Sequence, residues 1–203
     1  GRGRRARMPV LVGIDGTGSA IFPGAGRDRE YDIAFANSFV RKICNQRSGV
    51  NTKYFRGPVM LGGGLVEAVD TAAQFIRQRR QAGVNEPVLL TGYSRGAAGA
   101  VSVARRLKDV NIPVRALLLF DCVDRHLFLD AATIPSNVAN VMHVIRDPRT
   151  SSRESFSNDG MRYTPPTNYQ PIMRFMCTHG GMGGCPWTPP SGAKPTDFIN
   201  EGG

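Results

Sequence analysis

Histidine and cysteine are scarce in this chain, and where they stand excludes several kinds of chemistry. Three of its 203 residues are histidine and four are cysteine. Cys44, Cys122, Cys177 and Cys185 form no C-x-x-C pair, so neither a zinc finger nor a thioredoxin-like redox site has its residues. All four read as reduced thiols, Cys122 as a buried one at a strand end, with a Cys177–Cys185 bridge around His179 as the alternative. No apolar run approaches the length of a membrane span. No lysine follows a glycine loop in P-loop spacing and no complete G-x-G-x-x-G occurs, so no nucleotide site, cofactor or metal is expected. Basic stretches lack interleaved aromatics and no RNA-binding signature appears, which argues against a nucleic-acid partner.

Acidic residues are also in the minority. With 26 Lys and Arg against 16 Asp and Glu, the formal net charge is +10. Four of those charges sit in Gly1-Arg-Gly-Arg-Arg-Ala-Arg7, so the body remains basic. Most of this charge reads as an arginine-rich solvated surface, but it also favours peripheral contact with anionic membrane. The apolar stretch after the basic head is short and lacks a small-residue cleavage site. It reads as a first strand and not as a signal peptide, implying cytoplasmic synthesis. The expected organisation is a basic tail over 1–8, one domain over 9–185, and a Pro/Gly-rich tail over 186–203.

What the chain does have is an alternation of strands and helices. Pro9 to Ile14 is an unbroken apolar run, as expected of a strand buried on both faces. Residues 32–44 have helical spacing, Thr52–Phe55 reads as a short strand, and Leu65–Gln81 as an amphipathic helix stopped by Gly83. Apolar runs at Val88–Leu90, Val114–Phe120, Val138–Ile145 and Ile172–Cys177 predict further strands, with a long polar loop over 149–170. The alternation predicts an α/β fold: a mostly parallel sheet with helices on both faces, minimal and without a separate lid domain. The loops over 18–31 and 149–170 are the candidates to cover a site.

One stretch carries the chemistry. Val88-Leu-Leu-Thr-Gly-Tyr-Ser-Arg-Gly-Ala97 is strand, G-x-S-x-G, helix, the setting of a nucleophile elbow. The competing reading makes Ser94 only the N-cap of the helix that follows. A serine nucleophile needs a histidine to take its proton and a carboxylate to orient that histidine. His179 follows a strand end in a glycine-rich loop and is the candidate base; His143 lies inside a strand pattern and reads as structural; His126 is second choice. Asp121 and Asp147 both end strands. Counting two strands past the nucleophile selects Asp147 as the acid, with Asp121 as the alternative. Backbone N–H groups of Gly16, Thr17 and Arg95 are the expected oxyanion donors, with Asp15 bracing the first loop.

Asp15-Gly-Thr17, Gly92-Tyr-Ser-Arg-Gly-Ala97, Asp147 and His179-x-x-x-Gly-Gly184 together resemble the catalytic domain of the GxSxG phospholipase effectors of bacterial type VI secretion and their uncharacterised relatives. The resemblance spans roughly residues 9 to 185. It implies an α/β-hydrolase fold, Ser94, Asp147 and His179 as triad, membrane phospholipid as substrate, and secretion as an effector. The expected activity is that of a serine esterase or lipase on phospholipid or another acyl ester. The alternatives are a small-ester, thioester or peptide hydrolase without lipid preference, and a non-catalytic binding module that keeps the fold.

Overall fold

The computed structural model describes residues 8–22, 24, 26–124, 129–150 and 152–185. The expectations placed on His126, on the basic head and on the tail from Pro186 lie outside the described residues. In chain order the elements are β1 (Val10–Ile14), α1 (Arg27–Ala34), α2 (Phe39–Gln46), β2 (Thr52–Phe55), α3 (Leu65–Gln81), β3 (Val88–Tyr93) and α4 (Arg95–Asp109). They continue with β4 (Val114–Phe120), β5 (Thr133–Ile134), β6 (Val138–Arg146), β7 (Arg162–Tyr163), β8 (Asn168–Tyr169), β9 (Met173–Phe175) and α5 (His179–Met182).

Seven strands form one sheet in the order β2-β1-β3-β4-β6-β8, with β9 also paired to β6, and every pairing is parallel. β5 and β7 form a separate small pair. Side chains along a strand point alternately to the two faces, and both faces are covered. Val10, Val12 and Ile14 join the cluster that includes Leu65, Val69, Ala97 and Val101 of α3 and α4. Gly13 faces the other way: a Cβ there would lie 2.6 Å from Cys44 Sγ and 2.8 Å from Val40 on α2. The chain runs from β1 outward to β2 and then returns to the other side of β1 with β3, so the strand order reverses between β1 and β3. Ligands bind beyond the strand C-termini at such a reversal.

Two sequence expectations change. The helical spacing over 32–44 is broken, because Ser38 starts a new helix: its Oγ accepts from Arg41 N–H at 3.0 Å and donates to buried Asp15. Ile33, an apolar residue of that spacing, is exposed on α1. The polar stretch 149–170 is not simply a loop, since β7 and β8 within it pair with β5 and β6.

Candidate active site

Ser94 sits between β3 and α4 with φ 57° and ψ −126°, a conformation that costs a non-glycine residue about 1–3 kcal/mol. Its side chain makes no capping hydrogen bond to the helix, so the N-cap alternative does not describe it. The flanking glycines hold this bend. A Cβ on Gly92 would lie 2.5 Å from Gly96 O, and one on Gly96 2.2 Å from both Ile14 O and Asp15 O. The Ser94 backbone is stitched to the end of β4: its N–H donates to Phe120 O at 3.0 Å, and its carbonyl accepts from Val123 N–H at 3.2 Å.

That stitching decides which acid meets the histidine. Tyr93 pairs with Phe120 across β3 and β4, which sets Asp121 beside the elbow. His179, first residue of α5, places Nε2 2.9 Å from Ser94 Oγ and Nδ1 2.7 Å from Asp121 Oδ2. Ser94 and His179 are each 6% exposed and Asp121 is fully buried. The expectation that Asp147 holds the histidine is corrected. β6 runs one residue past the level of Asp121, so Asp147 lies beyond the pair and is tied to the outer edge through its N–H to Phe175 O. Its carboxylate is taken by Arg149, through N–H, Nε and Nη2 at 2.9, 3.0 and 2.9 Å, which holds its carboxyl down at about 2.

Asp121 is densely solvated by protein. Oδ2 also accepts from Arg146 Nη1 at 2.8 Å; Oδ1 accepts from Arg146 N–H at 3.2 Å and Asn158 Nδ2 at 2.9 Å. Burial pushes its carboxyl up, but the hydrogen bond and charge of His179, then Arg146 and Asn158, outweigh burial and leave it below the ordinary value. The carboxylate is thus ionised where a charge can stabilise an imidazolium. The imidazole lies between Tyr93, at 5.2 Å, and the edge-on ring of Phe156, at 5.4 Å. His179 N–H donates to Ser152 Oγ at 2.9 Å. His143, read as structural, is buried with Nε2 accepting from Cys122 N–H at 3.1 Å and Nδ1 3.1 Å from Tyr169 Oη. Burial pulls it down to about 4, so it is neutral at pH 7 and anchors the turn that carries Asp121.

The loop after β1 completes the site. Asp15 is buried and accepts from Tyr54 Oη at 2.7 Å, from Ser38 Oγ, and from Gly16 N–H at 3.1 Å. Burial raises its carboxyl despite these donors. The Gly16 N–H, one expected oxyanion donor, is therefore committed to Asp15. The Thr17 N–H has no acceptor among the described residues, and a Cβ on Gly16 would lie 3.4 Å from Ser94 Cβ, so the loop borders the nucleophile. Tyr31 fixes the loop by donating to Gly16 O at 2.6 Å while accepting from Gly57 N–H at 2.7 Å.

The Thioesterase domain family model matches residues 63–164, half of the chain. The chain belongs to the thioesterase domain family. Solved structures that it resembles include an uncharacterized protein from Pseudomonas aeruginosa, 15% identical with TM-score 0.48, covering 86% of this chain and 41% of that one. A hormone-sensitive lipase from a metagenome library is 10% identical with TM-score 0.49 and covers 88% and 72%. RedJ, a thioesterase of the prodiginine pathway in Streptomyces coelicolor, is 13% identical with TM-score 0.41 and covers 95% and 87%. No curated protein matches. The fold is that of a minimal α/β hydrolase, in keeping with a thioesterase domain.

Around this thioesterase-family site the surface is apolar on one side. Ile21, Phe22, Met60 and Leu61 are exposed, the last at 72%. Met60 N–H donates to Ala20 O at 2.8 Å, joining their two loops, and Arg95 Nη1 donates to Met60 O at 2.8 Å, so the patch adjoins the elbow. All four cysteines are free thiols, Cys177 and Cys185 included. Among the described residues no helix is long and apolar enough to cross a membrane, and no group of three or more metal-ligating side chains occurs. Sequence reading missed Arg146, Ser152 and Asn158. Arg146 left a signal, as a charge closing an otherwise apolar strand, which when buried must find a partner.

Proposed function

We propose that this chain is a serine hydrolase of acyl esters and thioesters, with Ser94 as nucleophile, His179 as general base and Asp121 as the orienting acid. The observation that carries this reading is the continuous relay from Ser94 Oγ through His179 to a buried, ionised Asp121. Ser94 Oγ attacks the acyl carbonyl as His179 Nε2 takes its proton, and Asp121 stabilises the imidazolium. The N–H groups of Thr17 and Arg95 hold the oxyanion. Collapse breaks the acyl–oxygen or acyl–sulfur bond, and His179 returns the proton to the departing alcohol or thiol. Water, deprotonated by the same imidazole, then releases the acid and frees Ser94.

The apolar patch of Ile21, Phe22, Met60 and Leu61 supports an apolar acyl group as the part recognised. The family match favours a thioester, whereas the basic charge and the resemblance drawn from the sequence favour phospholipid at an anionic membrane and an effector role. Fluorophosphonate labelling of the wild-type protein, with p-nitrophenyl esters of several chain lengths, acyl thioesters and phosphatidylglycerol vesicles as substrates, tests the reading. Turnover rising with acyl length and lost in Ser94→Ala supports it. Unchanged turnover in Ser94→Ala, or no labelling, would remove it.

A further inference from the structure

Arg146 is a buried charge in the one place where it touches both supports of the imidazole. It closes β6 with its side chain 6% exposed. Nη1 donates to Asp121 Oδ2 at 2.8 Å, the oxygen that also takes His179 Nδ1–H, and the Arg146 N–H donates to Oδ1 at 3.2 Å. On its other side Nε donates to Ser152 O at 2.8 Å and Nη2 to Arg153 O at 2.9 Å. Ser152 Oγ in turn accepts the His179 N–H. One guanidinium therefore holds the carboxylate directly and the histidine backbone through a single intermediate residue. Asn158 already satisfies Oδ1 with a neutral donor, so fixing the acid does not by itself require a buried cation. The cation adds charge: it draws electron density from the oxygen that stabilises an imidazolium.

We propose that Arg146 is a positioning residue of the hydrolytic site, locking the Asp121–His179 geometry and keeping the imidazole available as a neutral base. This rests on the acyl-hydrolase reading above. The groups set against the imidazole are Asp121 at the sheet edge, Ser94 and Tyr93 at the elbow, and Phe156, with Arg146 behind Asp121 on the same carboxylate oxygen. Tyr93 Oη is committed to His179 O at 2.9 Å, and His143 faces Cys122 and Tyr169. Removing the positive charge favours imidazolium, so the acidic limb of the kcat/KM profile moves to higher pH.

The experiment compares wild type, R146K and R146M by pH–rate profiles on a p-nitrophenyl ester, with His179 ring signals followed by NMR titration. R146M is expected to lose about 10- to 100-fold in kcat with KM little changed, since substrate binding is not touched. Its acidic limb and its His179 titration move to higher pH. R146K keeps the charge but not the planar fork, so it keeps the limb and loses part of kcat. A folded R146M with the wild-type limb overturns the proposal, as does an R146K with wild-type kcat; R146K decides alone if R146M does not fold. Inactive wild type defeats the acyl-hydrolase reading instead, while the NMR titration still decides the role of Arg146.

Discussion

At the scale of single residues, the two candidate acids separate because their carboxylates have different partners. Asp121 is fully buried and shared by His179, Arg146 and Asn158, whereas Asp147 belongs to Arg149. Asp121→Asn leaves the acid's shape but withdraws the charge that stabilises imidazolium, and kcat is expected to fall about 10³- to 10⁴-fold. Asp147→Asn is expected to leave kcat within about twofold. Its effect belongs to stability. Because Arg149 depresses Asp147 from 3.8 to about 2, the pair contributes stability above the unfolded value, and that contribution is lost as pH falls through about 2. Acid titration of unfolding in the variant checks this: the difference from wild type vanishes below pH of about 2. The elbow glycines make a sharper demand. Gly96→Ala puts a methyl 2.2 Å from two carbonyl oxygens of β1 and its loop, so thermal unfolding should show a loss of several kcal/mol or no folded protein.

At the scale of elements, the sequence was most legible where a segment buries a face of its own. Leu65–Gln81 and Val114–Phe120 have the bounds that periodicity and apolar content predict, and the elbow appears where its glycines require it. It was least legible where a distant partner decides. Residues 32–44 carry helical spacing throughout, yet the chain breaks so that Ser38 can reach Asp15 across the fold. The choice of acid failed for the same kind of reason: strand counting took no account of the Tyr93–Phe120 register, which places the first strand end, not the second, beside Ser94. β7 and β8, two polar residues each, have pairings that no local pattern announces. The Ser38 cap yields its own prediction. Ser38→Ala removes a cap and a donor to a buried carboxylate together, costing about 1–3 kcal/mol. Asp15 is already raised by burial, so losing a donor raises it further. Denaturant unfolding should therefore show a larger loss at pH 7, where the carboxylate must ionise, than at pH 4.

At the scale of the whole molecule, the matched family segment, residues 63–164, contains Ser94, Asp121 and Arg146 but neither the Asp15 loop nor His179. The parallel sheet brings these together: β1 sets the oxyanion loop on one side of the elbow, and β9 leads into α5 and its histidine on the other. The central claim is that this assembly makes one serine hydroxyl nucleophilic. Its most direct measurement is fluorophosphonate labelling followed by peptide mass mapping of the modified residue. The account predicts a single adduct on Ser94, retained in Asp147→Asn and lost or slowed at least about 10³-fold in His179→Ala and Asp121→Asn. An adduct elsewhere, or labelling of Ser94 at the wild-type rate in His179→Ala, would contradict it.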